Sequence, residues 1–178
     1  VMKASVISDN FRTQYLSKPG SKNKFEVRAI VFEGPEDYHE RINSPELNID
    51  LDCILVIRGC GPVGYPGSAE VVNMQPPDSL IRKGIIELPT LGDGRQSGTS
   101  GSPSILNVSP ESAIGGGLAL LQTGDRLKID LNQSSIDVLL NETELQKRRD
   151  LLKLEVTKNQ TPWQEIYRNK VGQLSGGG

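Results

Sequence analysis

The sequence predicts an α/β fold in which strands dominate and helices are short. Two observations carry this. Residues 51–58 (LDCILVIR) are apolar on both faces towards their end, as in a central strand. Leu127, Ile129 and Leu131, then Ile136, Val138 and Leu140, alternate with polar residues on either side of a short connection at 132–135, the pattern of a β-hairpin. No internal repeat is visible.

Composition narrows the classes of function. A chain of 178 residues forms one domain with a sizeable core. Twenty basic and 22 acidic residues give a formal charge of −2, so there is no basic field for nucleic acid or an anionic membrane. Aromatics at 4% argue against base-stacking platforms. The longest apolar run, 53–57, is far too short to cross a bilayer, and no charged-then-apolar leader opens the chain. Two cysteines without such a leader point to free thiols in a reducing compartment, the cytoplasm. Asn-x-Ser/Thr triplets at Asn107, Asn132, Asn141 and Asn159 are then read as chance. The opening at Val1 and the close at Gly178 read as those of a fragment.

In chain order, residues 1–7 form a short strand and 8–24 a polar, turn-rich loop. Residues 25–32 (FEVRAIVF) have the β-branched and aromatic content of a strand. Pro35, with Glu36 and Asp37 in the first turn, starts a helix to about Ile42, and its lone His39 sits among charged neighbours as a solvated or packing residue. After the central strand comes Gly59-Cys60-Gly61-Pro62-Val63-Gly64, formally G-x-G-x-x-G. A dinucleotide fingerprint must open into a helix whose free N–H groups meet the pyrophosphate, whereas here Pro62 and Pro66 remove donors and the chain stays irregular. Ser68 caps a short helix through Met74, a second runs from Asp78 to Lys83, and residues 85–91 form a buried strand. Residues 141–153 and 163–171 are helices packed outside the sheet or against a partner.

The stretch at 91–117 (LGDGRQSGTSGSPSILNVSPESAIGGG) organises the rest. Gly/Ser clusters are commonly plain surface loops, but this one carries Asp93 and Arg95 and runs into the apolar segment 105–108. It reads as an ordered loop feeding a strand and lining a site. Its surroundings lack G-x-S-x-G, and a Ser–His–acid triad would require His39. Cys53 and Cys60 cannot close a zinc site by themselves. The oxygen groups Glu70, Asp93, Ser97, Thr99 and Ser102 suit a hard cation such as Mg²⁺, although an exposed glutamate at a helix start has a plainer reading. Arg58 and Arg95 serve either a ligand carboxylate or local salt bridges.

Residues 53–74 (CILVIRGCGPVGYPGSAEVVNM) and 91–131 (LGDGRQSGTSGSPSILNVSPESAIGGGLALLQTGDRLKIDL) together resemble the C-terminal domain of the dihydroxy-acid and phosphogluconate dehydratase family. GDGRQSGTSGSPSILN is similar to its sugar-acid (pentonate) branch, and the resemblance runs from about Ala29 to the YRNKVGQ segment. It implies a swivelling β/β/α domain, a barrel-like sheet with outer helices. It also implies a hydro-lyase that turns a 2,3-dihydroxy acid into a 2-keto-3-deoxy acid, using an iron–sulfur cluster and Mg²⁺. On this pattern Ser97 takes the C2 proton, Thr99 is a second hydroxyl lining the site, and Glu70 is this domain's ligand to Mg²⁺. A free alcohol is a poor base near neutral pH, so Ser97 needs metals or the amides of Gly94, Gly98 and Gly101 to stabilise its alkoxide.

The cluster cysteines and other Mg²⁺ ligands belong to an N-terminal domain of the same protein, and neither Cys53 nor Cys60 matches a cluster ligand. The chain therefore divides into 1–24, strand and linker from that domain; 25–140, the catalytic core; and 141–178, outer helices. Alone it is expected to fold, to lack turnover, and to self-associate through an uncovered face; the whole protein is expected to be a homo-oligomer acting on a sugar acid. The alternatives are a branched-chain dihydroxy-acid dehydratase domain and a non-catalytic ligand- or partner-binding domain of the same fold, with a nucleotide-binding module third.

Overall fold

The computed structural model describes residues 3–4, 12–16, 20–71, 73–97, 100–154 and 161–177. Seven strands make one mixed sheet: β1 (Lys3–Ala4), β2 (Lys24–Phe32), β3 (Cys53–Ile57), β5 (Thr90–Gly92), β7 (Ser104–Leu106), β8 (Arg126–Asp130) and β9 (Ser135–Val138). Their order is β1-β7-β5-β3-β2-β8-β9. The central pairs β2–β3, β3–β5 and β5–β7 are parallel, and antiparallel strands close both flanks. A separate two-strand parallel ribbon joins β4 (Glu70–Val71) to β6 (Arg95–Gln96).

Alternation along the strands sorts the core into two clusters. Phe25, Val27, Ala29 and Val31 of β2, with Ile54 and Val56 of β3, face one side; they meet Leu91, Ile105, Leu127 and Ile129, with Ile136 and Val138 packed against them. Six strands thus supply a single cluster, which requires the sheet to curl, and the expected barrel-like α/β architecture is present. The opposite side carries Ile30, Phe32, Cys53, Leu55 and Ile57. It is covered by α1 (Pro35–Arg41) through Tyr38, by α2 (Asp78–Ile81) through Leu80, and by Met74 and Leu88. Both faces of β3 are buried, as its unbroken apolar run demands.

The β8–β9 hairpin, the helix at Pro35 and the central strand form as the sequence predicts. Three expectations fail. Residues 12–16, assigned to loop, form a π-helical turn that buries Tyr15 against Phe25, with ring centroids 5.3 Å apart. Ser68 caps no helix: its φ is 46°, and Glu70–Val71 lies in β4 instead. The β-branched Val71 and the approaching Pro76 oppose helix there. The strand expected over 85–91 is confined to Thr90–Gly92, since Pro89 lacks the N–H a ladder needs and Ile86 lies 70% exposed.

The last helices are held by polar staples. In α3 (Glu142–Leu151), Arg148 donates to Asp125 at 2.6 and 3.1 Å and to the Leu120 carbonyl at 3.0 Å. In α4 (Pro162–Lys170), Arg168 Nε donates to the Val63 carbonyl at 2.9 Å. Trp163 and Ile166 of α4 point outward, 69% and 57% exposed. No helix among the described residues is long and apolar enough to cross a membrane.

Candidate functional site

The glycine loop at 59–64 uses its amides within the chain. Its amides are already engaged by two buried carboxylates. Asp93 Oδ2 accepts from the Gly59 amide at 3.2 Å, and Oδ1 from the Cys60 amide at 2.9 Å. Asp93 Oδ2 also receives the amide and hydroxyl of Ser112, at 2.9 and 2.6 Å. Glu111 accepts from the Val63 amide at 2.9 and 3.1 Å, from Gly64 at 2.8 Å, and from Gln173 Nε2 at 2.7 Å. The loop is an anion-binding nest filled by the chain's own carboxylates.

Two glycines are needed here for close approach. A Cβ on Gly61 would lie 2.5 Å from Glu111 Oε2, and one on Gly94 would lie 2.5 Å from the Cys60 carbonyl oxygen. Asp93 and Ser102, grouped above with cation-binding oxygens, are therefore structural. Asp93 is consumed by four donors, and buried Ser102 donates to the Met74 carbonyl at 3.0 Å. Arg58 likewise acts locally, paired with Glu33 and donating to the Leu118 and Leu121 carbonyls at 2.7 and 2.8 Å.

The ribbon carries the remaining candidates. Glu70 is the register partner of Arg95, and Val71 that of Gln96. Ser97 directly follows Gln96, one residue past the end of the strand paired with Glu70–Val71. Glu70 is exposed and Ser97 half-buried. Thr99 and Gly98 lie outside the described residues. Gly94 is engaged in packing, and its carbonyl accepts from the Asn107 amide at 3.1 Å.

Gln96 anchors the ribbon from below. Its buried side chain accepts from Ser104 Oγ at 2.9 Å and Ser100 Oγ at 3.3 Å, and Nε2 reaches Thr90 Oγ1 at 3.5 Å. Arg95 Nε donates to the Ser68 carbonyl at 2.7 Å, tying the approach to β4 onto β6. Ser100 N–H closes a turn onto the Ser97 carbonyl at 3.0 Å. Sequence reasoning missed Gln96 and Glu111. A lone Gln and a lone Glu among Gly, Ser and Pro were their only signal.

A hard cation fits this surface only in part. Glu70 offers one exposed carboxylate oxygen donor, and no group of three or more His, Cys, Asp or Glu that could hold a metal occurs among the described residues. An iron–sulfur cluster does not fit the cysteines. Both are buried and free; burial pushes the Cys53 thiol up to about 11, and burial with nearby Asp93 pushes Cys60 up to about 12. Cys53 Sγ donates to Asp50 Oδ1 at 3.1 Å, and Cys60 Sγ faces the Arg58 carbonyl at 3.6 Å. His39 is exposed and edge-on to Tyr38, as expected for a non-catalytic residue.

Residues 1–178 match the family described as dihydroxy-acid/6-phosphogluconate dehydratase C-terminal. The chain is 62% identical to a D-xylonate dehydratase of Caulobacter vibrioides over all of its own length and 30% of that protein's. It is 42% identical to an L-arabinonate dehydratase of Rhizobium leguminosarum bv. trifolii over 68% of this chain and 21% of the relative. A dihydroxy-acid dehydratase of Clostridium beijerinckii is 35% identical over 84% of this chain and 26% of its own length. The chain thus spans less than a third of these relatives. It belongs to the dihydroxy-acid/6-phosphogluconate dehydratase family, as the C-terminal domain.

Proposed function

We propose that this chain is the C-terminal domain of a sugar-acid dehydratase, a hydro-lyase acting on a pentonate. The observation that supports the reading is the β4–β6 pairing: it includes the exposed Glu70, and its second strand ends at Gln96, directly before the half-buried Ser97. Identity of 62% to a xylonate dehydratase, against 35% to a dihydroxy-acid dehydratase, favours the sugar-acid branch over the branched-chain alternative.

In this reading Ser97 Oγ takes the proton from C2 of a 2,3-dihydroxy acid, the 3-hydroxyl leaves as water, and the resulting enol becomes the 2-keto-3-deoxy acid. Thr99 lines the same site. Glu70 would supply one ligand to Mg²⁺, which when bound polarises the acid's carboxylate end. Glu70 is paired with Arg95 in the ribbon, and Gln96, anchored by Ser104, immediately precedes Ser97. An iron–sulfur cluster and the other Mg²⁺ ligands would come from an N-terminal domain. Residues 25–140 form the catalytic core, preceded by a 1–24 linker and followed by outer helices in 141–178. The whole protein is a cytoplasmic homo-oligomer in this reading, consistent with two buried thiols.

The test is Ser97→Ala in the full-length enzyme. Turnover of D-xylonate should fall to background while the cluster absorption spectrum and melting temperature stay unchanged. Near-normal turnover removes Ser97 from the mechanism.

A further inference from the structure

Beyond β4 and the turn after Ser97, both arms of the ribbon lead into a small polar cavity of about 140 Å³. Asn73, three residues past Glu70, and Ser100, three past Ser97, both line it, together with Gln75, Glu87 and Ser102. At ~30 Å³ per water, this is room for a two- or three-carbon polyol fragment and not for a nucleotide.

Its lining offers hydrogen-bond acceptors. Asn73 Oδ1 is buried and has no hydrogen-bond partner. The hydroxyls of Ser100 and Ser102 donate elsewhere, to Gln96 Oε1 and the Met74 carbonyl, which leaves their lone pairs for incoming donors.

The wall is also pre-formed. Tyr38 OH donates to the Gln75 carbonyl at 3.1 Å and accepts the Gln75 amide at 2.7 Å, while Ser102 pins Met74. Burial pushes the Tyr38 hydroxyl above its ordinary value, so it stays protonated to make both bonds.

We propose that this cavity is a subsite for the distal hydroxyls of the sugar acid, with Asn73 Oδ1 as the acceptor that reads them. The inference rests on the dehydratase reading and extends it to substrate choice. The acid's carboxylate stays at the Glu70 end and its hydroxylated tail enters between residues 73–75 and 100–102. A tail bearing only methyl groups would leave Asn73 Oδ1 buried and unpaired, and a site built to bond a hydroxyl rejects an analogue lacking it far more strongly than it rejects a missing methylene.

The experiment uses the full-length enzyme, with D-xylonate and 2,3-dihydroxy-3-methylbutanoate as probes, in wild type, Asn73→Leu and Asn73→Asp. Wild type should prefer the pentonate. Asn73→Leu should lower kcat/KM for D-xylonate about 10²-fold, chiefly through KM, and leave or raise that for the methyl acid. Asn73→Asp keeps the acceptor and should retain most discrimination. Calorimetric binding of D-xylonate is measured alongside, because it reports on the cavity whether or not turnover occurs. Equal losses on both acids in Asn73→Leu, or unchanged D-xylonate affinity, overturn the subsite. Failure of the dehydratase reading looks different: no turnover of either acid by wild type, or full turnover by Ser97→Ala. Weakened D-xylonate binding by Asn73→Leu in that event would still support the cavity.

Discussion

Arg95 Nε donates to the carbonyl of Ser68 at 2.7 Å, two residues ahead of Glu70. A parallel ribbon of two residues per strand has little intrinsic stability, and its register is correspondingly weakly specified. The guanidinium staple supplies what the short ladder lacks. Removing it as Arg95→Met forfeits a charge-assisted bond worth about 1.5–3 kcal/mol locally. Amide exchange of residues 68–71 should accelerate about tenfold or more, with the global melting temperature shifted by less than about 2 °C, because Arg95 is exposed. Unchanged exchange would show that the ribbon holds without it.

Asp93 neutralises four donors at one buried point. Asp93→Ala strands the amides of Cys60 and Ser112, while Gly59 keeps Ser112 Oγ at 2.8 Å, and urea denaturation of the 178-residue chain should report a loss of about 3–5 kcal/mol. A loss below about 1 kcal/mol would mean that water replaces the carboxylate.

Glu111 joins the glycine loop to the C-terminal segment, since Gln173 both donates to its carboxylate and accepts its amide N–H at 2.8 Å. Glu111→Ala should cost about 2–4 kcal/mol and expose residues 171–177 to limited proteolysis before the sheet is cut. Simultaneous cleavage throughout would argue against a distinct tail anchor.

The thiols should be inert. With Cys53 pushed up to about 11 and Cys60 to about 12, the thiolate fraction at pH 8 is minute. Native protein should show almost no reaction with a disulfide reagent over an hour, and two equivalents should react in denaturant. Rapid native labelling of either cysteine would contradict its burial.

Asp37, Asp50 and Asp130 are all held below the ordinary carboxylate value, the first and last of them chiefly by a cationic partner. The hydrogen bond from Arg41 holds Asp37 below the ordinary 3.8, and that from Lys24 holds Asp130 below it. Each depressed carboxyl contributes stability that is present above its unfolded value and is lost as pH falls through its folded value. Unfolding free energy should therefore drop below about pH 4, and Asp37→Asn with Asp130→Asn should flatten that limb. An unaltered acid limb in the double variant would assign it to other groups.

How much of this was legible in sequence depends on the range of the interactions involved. β2, β3 and the hairpin announce themselves because the pleat repeats every two residues, so burial writes its own pattern into the chain. The glycine-rich stretch was visible through its composition, and Ser97 within it was singled out by the family resemblance alone. By itself the sequence determined the strand-rich α/β class, the central strand and the family. Only the tertiary structure decided that Glu70 lies in a strand, that Asp93 and Glu111 fill the nest at 59–64, and that Asn73 meets Ser100 at a shared cavity. A two-residue strand has no period to read, and a carboxylate 48 residues from the amide it satisfies leaves no mark on either segment. Such pairings exist once the chain has closed on itself, where burying an amide makes finding its partner obligatory.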